Sequence, residues 1–287
     1  MGKEKNPAIS ARARLLDRAR RDGEDHQRLL VRYAIERLLY RLSVSPHADA
    51  FILKGATLFA LWMGKPHRAT KDLDLLGSGS PEVARLVGVF REVAAAPCPE
   101  DGMVFDPAGI TGEPIRKDAR YVGVRVVVPG QLAGARLPVQ VDVGLGDATV
   151  PPPRTVEMVS LLGLPPPRLR AYAPETVVAE KLEALVVLGL TTSRMKDLYD
   201  LDLLRRSFAF DDTLVDAVAA TFRRRATPFP AALPVGLSDG FAEDGVKQLQ
   251  WRAFLRKAGG EPDLALGAVV AGLREWLWPV LVRASAR

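Results

Sequence analysis

Between residues 9 and 42 the apolar positions Leu15, Leu29, Leu30, Tyr33, Ile35, Leu38 and Leu39 recur at three- and four-residue steps, the spacing of amphipathic helix. Asp22-Gly23 interrupts the run, so the pattern predicts two helices that cap a core. Residues 51–54 (Phe-Ile-Leu-Lys) read as a short buried strand that enters a turn at Gly55, and Thr57 opens a short helix. The period changes to two at Asp72-Leu73-Asp74-Leu75. Val-rich residues 121–128 and the alternating residues 137–143 also read as strands.

Two proline triplets, at 151–153 and 165–167, bracket a segment that cannot be continuous helix or central strand, because proline lacks the amide proton and restricts φ. This segment is the expected linker. Beyond it, residues 175–190, 195–206, 211–225 and 264–283 favour helix, with no strand pattern among them. The fold class expected is α+β. A small mixed sheet with the N-terminal helices would occupy residues 1–160, and a helical domain over 161–287 would contribute to a nucleotide and acceptor cleft.

With 287 residues and 48% apolar composition, the chain is long enough to bury one large core or two ordinary ones, which argues against a disordered or fibrous protein. Apolar runs such as 182–190 stop well short of the roughly 20 residues of a bilayer-spanning helix. The basic N-terminus has no apolar secretory core, so a cytoplasmic protein without membrane partners is expected. Cys98, the single cysteine, forms no intramolecular disulfide and excludes a thiolate-rich zinc site. Most of the net charge of +6 arises in residues 1–45, with eleven Lys and Arg against six Asp and Glu. A polyanionic partner would use that surplus. Solvated arginine-rich helix faces would carry the same charge, so it supports nucleic-acid binding without proving it.

Chemistry concentrates in three aspartates. Successive strand side chains alternate between faces, so Asp72 and Asp74 project from one side while Leu73 and Leu75 pack the other. Two close carboxylates repel unless a cation lies between them, and hard oxygen donors suit Mg²⁺ or Mn²⁺. Asp142 repeats the pattern in Val139-Gln140-Val141-Asp142-Val143 and is the third candidate ligand. A lone Asp-x-Asp can equally be the wet face of a half-exposed strand. Upstream lies Lys54-Gly55-Ala56-Thr57-Leu58, whose glycine turn would offer backbone amides to a phosphate. Arg68 suits either a phosphate oxygen or a clamp on one aspartate. His67 reads as a loop residue, Asp147 as a turn or cap residue, and the four Trp as core or interface residues.

The turn, the Asp-x-Asp strand and the third acidic strand together resemble the DNA polymerase β-like nucleotidyltransferase signature. Ala56 departs from it, standing where that superfamily often has Ser or Gly, which leaves Thr57 as the source of any hydroxyl. Longer blocks narrow the resemblance: residues 23–33, 53–62, 68–76, 141–147, 179–185 and 193–201 look like the AbiEii/AbiGii toxin family of nucleotidyltransferases, MenT-like toxins included. The blocks span residues 9–206; the remainder matches no named pattern. Within this resemblance Asp72 and Asp74 match the acidic pair, Lys181 the lysine of Glu-Lys-Leu-Glu-Ala, and Lys196 with Asp197 the Arg-x-Lys-Asp block. Lys181 also lies off the Val178, Leu182, Leu185 stripe, which would leave its ammonium to meet a triphosphate. The ordinary alternatives are a solvated position for Lys181 and an i,i+4 pair with Asp200 for Lys196.

The resemblance implies a toxin of a bacterial toxin–antitoxin or phage-defence pair, restrained by a cognate antitoxin. Such an enzyme would transfer NMP from NTP to an RNA acceptor, a tRNA 3′ end. Asp72, Asp74 and Asp142 would hold metal, with Lys181 and Asp197 in the catalytic set. Lys54, Gly55, Ala56, Thr57, Arg68, Lys181 and Lys196 would hold the nucleotide. Two alternatives stay open at this point: transfer to a protein or small-molecule acceptor such as an aminoglycoside, and a non-catalytic nucleic-acid-binding protein with a relic pocket.

Overall fold

The computed structural model describes residues 6–64, 70, 72–116, 122–258 and 261–287. The chain forms two compact units: one comprises Met1–Gly146 with Thr155–Ala171, the other Asp147–Arg154 with Tyr172–Arg287.

The first unit begins with α1 (Pro7–Asp22) and α2 (His26–Ser43). The Asn6 carboxamide oxygen accepts from the Ala8 and Ile9 amides and Pro7 occupies the first turn, where a missing amide proton costs nothing. Gly23, left-handed at φ 66°, breaks the two helices where the sequence predicts. Then follow β1 (Phe51–Lys54), α3 (Thr57–Met63), β2 (Asp72–Gly77), α4 (Val83–Ala95), β3 (Met103–Phe105), β4 (Thr111–Arg116), β5 (Val122–Val128), β6 (Gly130–Leu132), β7 (Ala135–Arg136), β8 (Val139–Leu145), β9 (Arg154–Glu157) and β10 (Arg168–Ala171). Seven strands form one sheet in the order β4-β5-β8-β2-β1-β10-β9; β3, β6 and β7 form a second. Within the large sheet β2 runs parallel to β8 and β1 parallel to β10, while β1–β2, β4–β5 and β5–β8 are antiparallel.

One face of this sheet carries Leu53, Leu73, Leu75, Val124, Val126, Val141 and Val143, all buried. Helices α2 and α4 pack against it, with the Phe51 and Phe90 rings 5.7 Å apart. The proline-bracketed segment expected as a linker supplies β9, and β10 follows directly after its second proline triplet. β9 is an edge strand, the position proline-flanked chain tolerates.

Part of the N-terminal basic surplus is spent inside the fold. Arg12, Arg14 and Arg18 donate to the carbonyls of Ala133, Leu162 and Leu161. Buried Arg41 grips both oxygens of Asp101, at 2.6 and 3.2 Å. Glu36 accepts from the Leu161 amide, and its burial holds the carboxyl above the ordinary range. These long side chains satisfy loop carbonyls and buried carboxylates that would otherwise lose hydrogen bonds on leaving water.

The second unit contains α5 (Pro174–Leu188), α6 (Met195–Ser207), α7 (Asp212–Arg224), α8 (Asp239–Glu243), α9 (Gly245–Ala258) and α10 (Leu266–Ser285). Leu182, Leu198, Leu201, Val218, Phe222, Leu273 and Leu277 are buried in it. Three helices, α4, α8 and α9, go beyond those expected. α4 carries a regular stripe (Leu86, Val87, Phe90, Val93) and was legible. α9 exposes Val246 and Leu249 while burying Trp251 and Leu255, so its apolar positions do not trace one face. No helix among the described residues is long and apolar enough to cross a membrane.

Candidate active site

Five strands set five charged residues in one transverse row. Lys54 pairs with Asp74, Asp74 with Asp142, Asp142 with Arg125, and Arg125 with Glu113. Directly opposed residues share a face of the sheet, and period two puts Asp72 and its partner Gln140 on that same face. The opposite face is the leucine and valine core. Hydrophobic alternation therefore chooses the carboxylates' side, because a slip of one residue would drive Asp72, Asp74 and Asp142 into the core.

Adjacent strands lie about 4.8 Å apart, so Asp74 and Asp142 are neighbours although 68 positions of chain separate them. Arg125 meets Asp142 with a two-pronged bond: Nε to Oδ1 at 2.8 Å and Nη2 to Oδ2 at 2.8 Å. Gln140 Nε2 donates to the same Oδ1 at 3.3 Å. Hydrogen bonding to Asp142 raises the Arg125 pKa, and the charges of Asp142, Asp72 and Glu113 add to it against the opposing effect of burial. Nothing in the sequence pattern singled out Arg125. Its only local signal is a charged residue among alternating valines.

Gly55 has φ +75°, and a Cβ placed there would stand 2.1 Å from Asp74 Oδ2 and 2.7 Å from Asp74 Cβ. The glycine turn and the acidic strand are thus packed directly on one another. Ala56 precedes α3 in helical conformation and offers no side-chain cap, as a methyl group must. Thr57 is 8% exposed, and its hydroxyl oxygen is buried without a hydrogen-bond partner among the described residues. Lys54, at 7% exposure, is the buried cation of the row. Arg68 and His67 lie outside the described residues.

Asp72 and Asp74 offer hard oxygen donors from one strand face, a set whose chemistry suits Mg²⁺ or Mn²⁺. Asp142 stands in register beside them but presents both oxygens to Arg125. Among the described residues no three His, Cys, Asp or Glu side chains gather as a closed metal site. Each carboxylate oxygen has a second lone pair, so the guanidinium leaves Asp142 with acceptor capacity.

The second unit holds a separate charged cluster. Lys181 Nζ lies 2.6 Å from Asp197 Oδ1 and 2.8 Å from Asp200 Oδ2, while Arg194 Nε approaches Asp197 Oδ2 at 2.6 Å. Asp197 and Asp200, three apart on α6, present their carboxylates along one side. The side chain of Asp200 is fully buried, whereas Lys196, four positions before it on α6, is exposed. In the same unit, buried Lys247 donates to the Thr192 carbonyl at 2.7 Å. Asp147, expected as a turn residue, accepts from Arg225, which also meets Glu183 at 2.8 Å and Glu180 at 3.5 Å.

Residues 37–278 match the family described as nucleotidyl transferase AbiEii toxin, type IV toxin–antitoxin system. Among solved structures the chain is similar to JHP933 from Helicobacter pylori, at 17% identity and TM-score 0.52, covering 91% of this chain and 95% of that one. A second H. pylori structure, assigned as a candidate nucleotidyltransferase, is similar at 17% identity and TM-score 0.53, covering 91% of this chain and 98% of the other. At that identity the likeness is one of fold. No protein with a curated description matches.

Proposed function

The chain belongs to the AbiEii family of nucleotidyltransferase toxins of type IV toxin–antitoxin systems, and from that premise we propose that it transfers a nucleoside monophosphate from an NTP to an RNA 3′ end, that of a tRNA, with Mg²⁺ or Mn²⁺. The observation that carries the reading is the register of Asp74 against Asp142 with the Gly55 turn packed on Asp74. Acidic donors and a phosphate cradle meet there within three adjacent strands.

In this reading Asp72 and Asp74 would hold the divalent cation, which would supply charge stabilisation for the nucleotidyl group in transfer. Asp142 accepts a hydrogen bond from the acceptor hydroxyl and orients it. Gly55, Ala56 and Thr57 hold the phosphates, with a donor from the Thr57 hydroxyl, which has no partner among the described residues. Lys54 adds positive charge at the end of the row. The hydroxyl oxygen bonds to the α-phosphorus as the bond to the bridging oxygen breaks; pyrophosphate departs and the hydroxyl proton passes to solvent. Catalysis is then chiefly positioning and electrostatics. By family resemblance Lys181 and Asp197 join the catalytic set, and Asp200 pairs with Lys181. A cognate antitoxin is the partner a toxin of this family implies.

The test incubates the protein with tRNA, Mg²⁺ and each labelled NTP in turn. Label should appear at the RNA 3′ end, and Asp72→Asn and Asp74→Asn should abolish it. Transfer that survives both substitutions defeats the proposal, and label appearing on protein or on an aminoglycoside instead reassigns the acceptor.

A further inference from the structure

Resting on that reading of the acidic row, we propose that Arg125 is a positioning residue for transfer: its guanidinium holds the Asp142 carboxylate in one orientation beside Asp74 and offsets the repulsion between them. Two like charges on neighbouring strands, about 4.8 Å apart, spread unless a cation accompanies them. On the Asp142 side of the pair Arg125 supplies such a cation, as Lys54 stands opposite Asp74 on the other. Both of its bonds are 2.8 Å, and a two-pronged bond stops the carboxylate from turning about its Cβ–Cγ axis. Gln140 adds a third donor.

An ordinary cross-strand brace would explain the contact less well. β5 and β8 are already joined by their ladder and by buried Val124, Val126, Val141 and Val143, so sheet pairing does not depend on Arg125. The pair lies on the polar face, where Asp142's side chain is 12% exposed and that of Arg125 33%.

The experiment compares Arg125→Met, Arg125→Lys, Asp142→Asn and the Arg125→Met/Asp142→Asn double variant. It measures kcat, KM for NTP, and Mn²⁺ binding by the electron paramagnetic resonance signal of the free ion. Arg125→Met should lower kcat about 10- to 100-fold and weaken Mn²⁺ binding, as loss of a supporting partner does, with KM for NTP little changed. Arg125→Lys should recover only part of kcat, since one ammonium cannot orient both oxygens. In the Asp142→Asn background Arg125→Met should cost almost nothing further, the non-additivity expected of a residue that acts through its partner. Should Arg125→Met fail to fold, as judged by circular dichroism, Arg125→Gln takes its place with the same expectations. Wild-type kcat in the Arg125 variant beside an inactive Asp142→Asn overturns the role of Arg125 alone. Equal losses in both backgrounds do the same, whereas a fully active Asp142→Asn overturns this inference together with the site reading beneath it.

Discussion

Gly55 and Asp74 are packed so closely that a methyl group on the glycine would fall 2.1 Å from Asp74 Oδ2. The left-handed φ of +75° and the near contact demand glycine independently, one through the backbone and the other through the carboxylate. Of the motifs in the chain this is the one whose two halves, a turn and an acidic strand, are shown to touch.

Gly55→Ala should therefore damage stability and activity together. Holding alanine in a left-handed conformation costs about 1–3 kcal/mol, and the displaced Asp74 adds to it. Thermal unfolding should move down by several degrees, and nucleotide transfer should fall with the acidic strand's geometry even well below the new midpoint. A variant that keeps both the melting temperature and the transfer rate would show that the turn and Asp74 are not coupled.

Thr57→Val makes the opposite trade. It keeps the shape of the side chain and removes a buried hydroxyl that has no partner among the described residues, a group whose desolvation costs about 1–3 kcal/mol. The nucleotide-free protein should melt at the same temperature or higher, while KM for NTP rises. Unchanged KM would remove Thr57 from the phosphate site.

Lys181→Met removes from buried Asp200 a cation 2.8 Å away. Breaking a buried ion pair costs about 3–5 kcal/mol, and the lower end applies because Arg194 still meets Asp197. Urea unfolding should show the loss, and Lys181→Arg should restore most of it. A Lys181→Met protein as stable as wild type would mean that the cluster is not held by its charges.

Cys98 gives a prediction in pH. Burial, then the negative charge of Asp101, pushes its thiol from 9.0 up to about 11. Both causes disfavour the thiolate, so alkylation of the folded protein at pH 8 should run about 100-fold slower than in the unfolded chain, since each pKa unit is tenfold in thiolate fraction. The folded rate should climb tenfold per pH unit until about pH 11. Equal rates in the folded and unfolded protein would place the thiol in open solvent.

The helix break at Gly23, the strand character of β2, β5 and β8, and the helices α5, α6, α7 and α10 were legible because each is written in a local period. So was the sharing of one face by Asp72 and Asp74. Strand β9 was not, since the flanking proline argues against a strand locally and only the sheet edge makes room for it; β10, just past the second proline triplet, is only four residues long and becomes a strand by pairing with β1. The pairing of Lys181 with Asp200 was hidden for a related reason: helical spacing relates Asp200 only to Lys196 on its own helix, and it is α5 packed against α6 that brings Lys181 to it.

What the sequence determined alone is which side of each strand is polar and where the chain must turn, because alternation and glycine act on the nearest few residues. The tertiary structure decided which polar residues meet. Asp74 faces Asp142, and Arg125 grips Asp142, through strand register summed over the whole core. That register places residues far apart in the chain within bonding distance, and no stretch of sequence contains it.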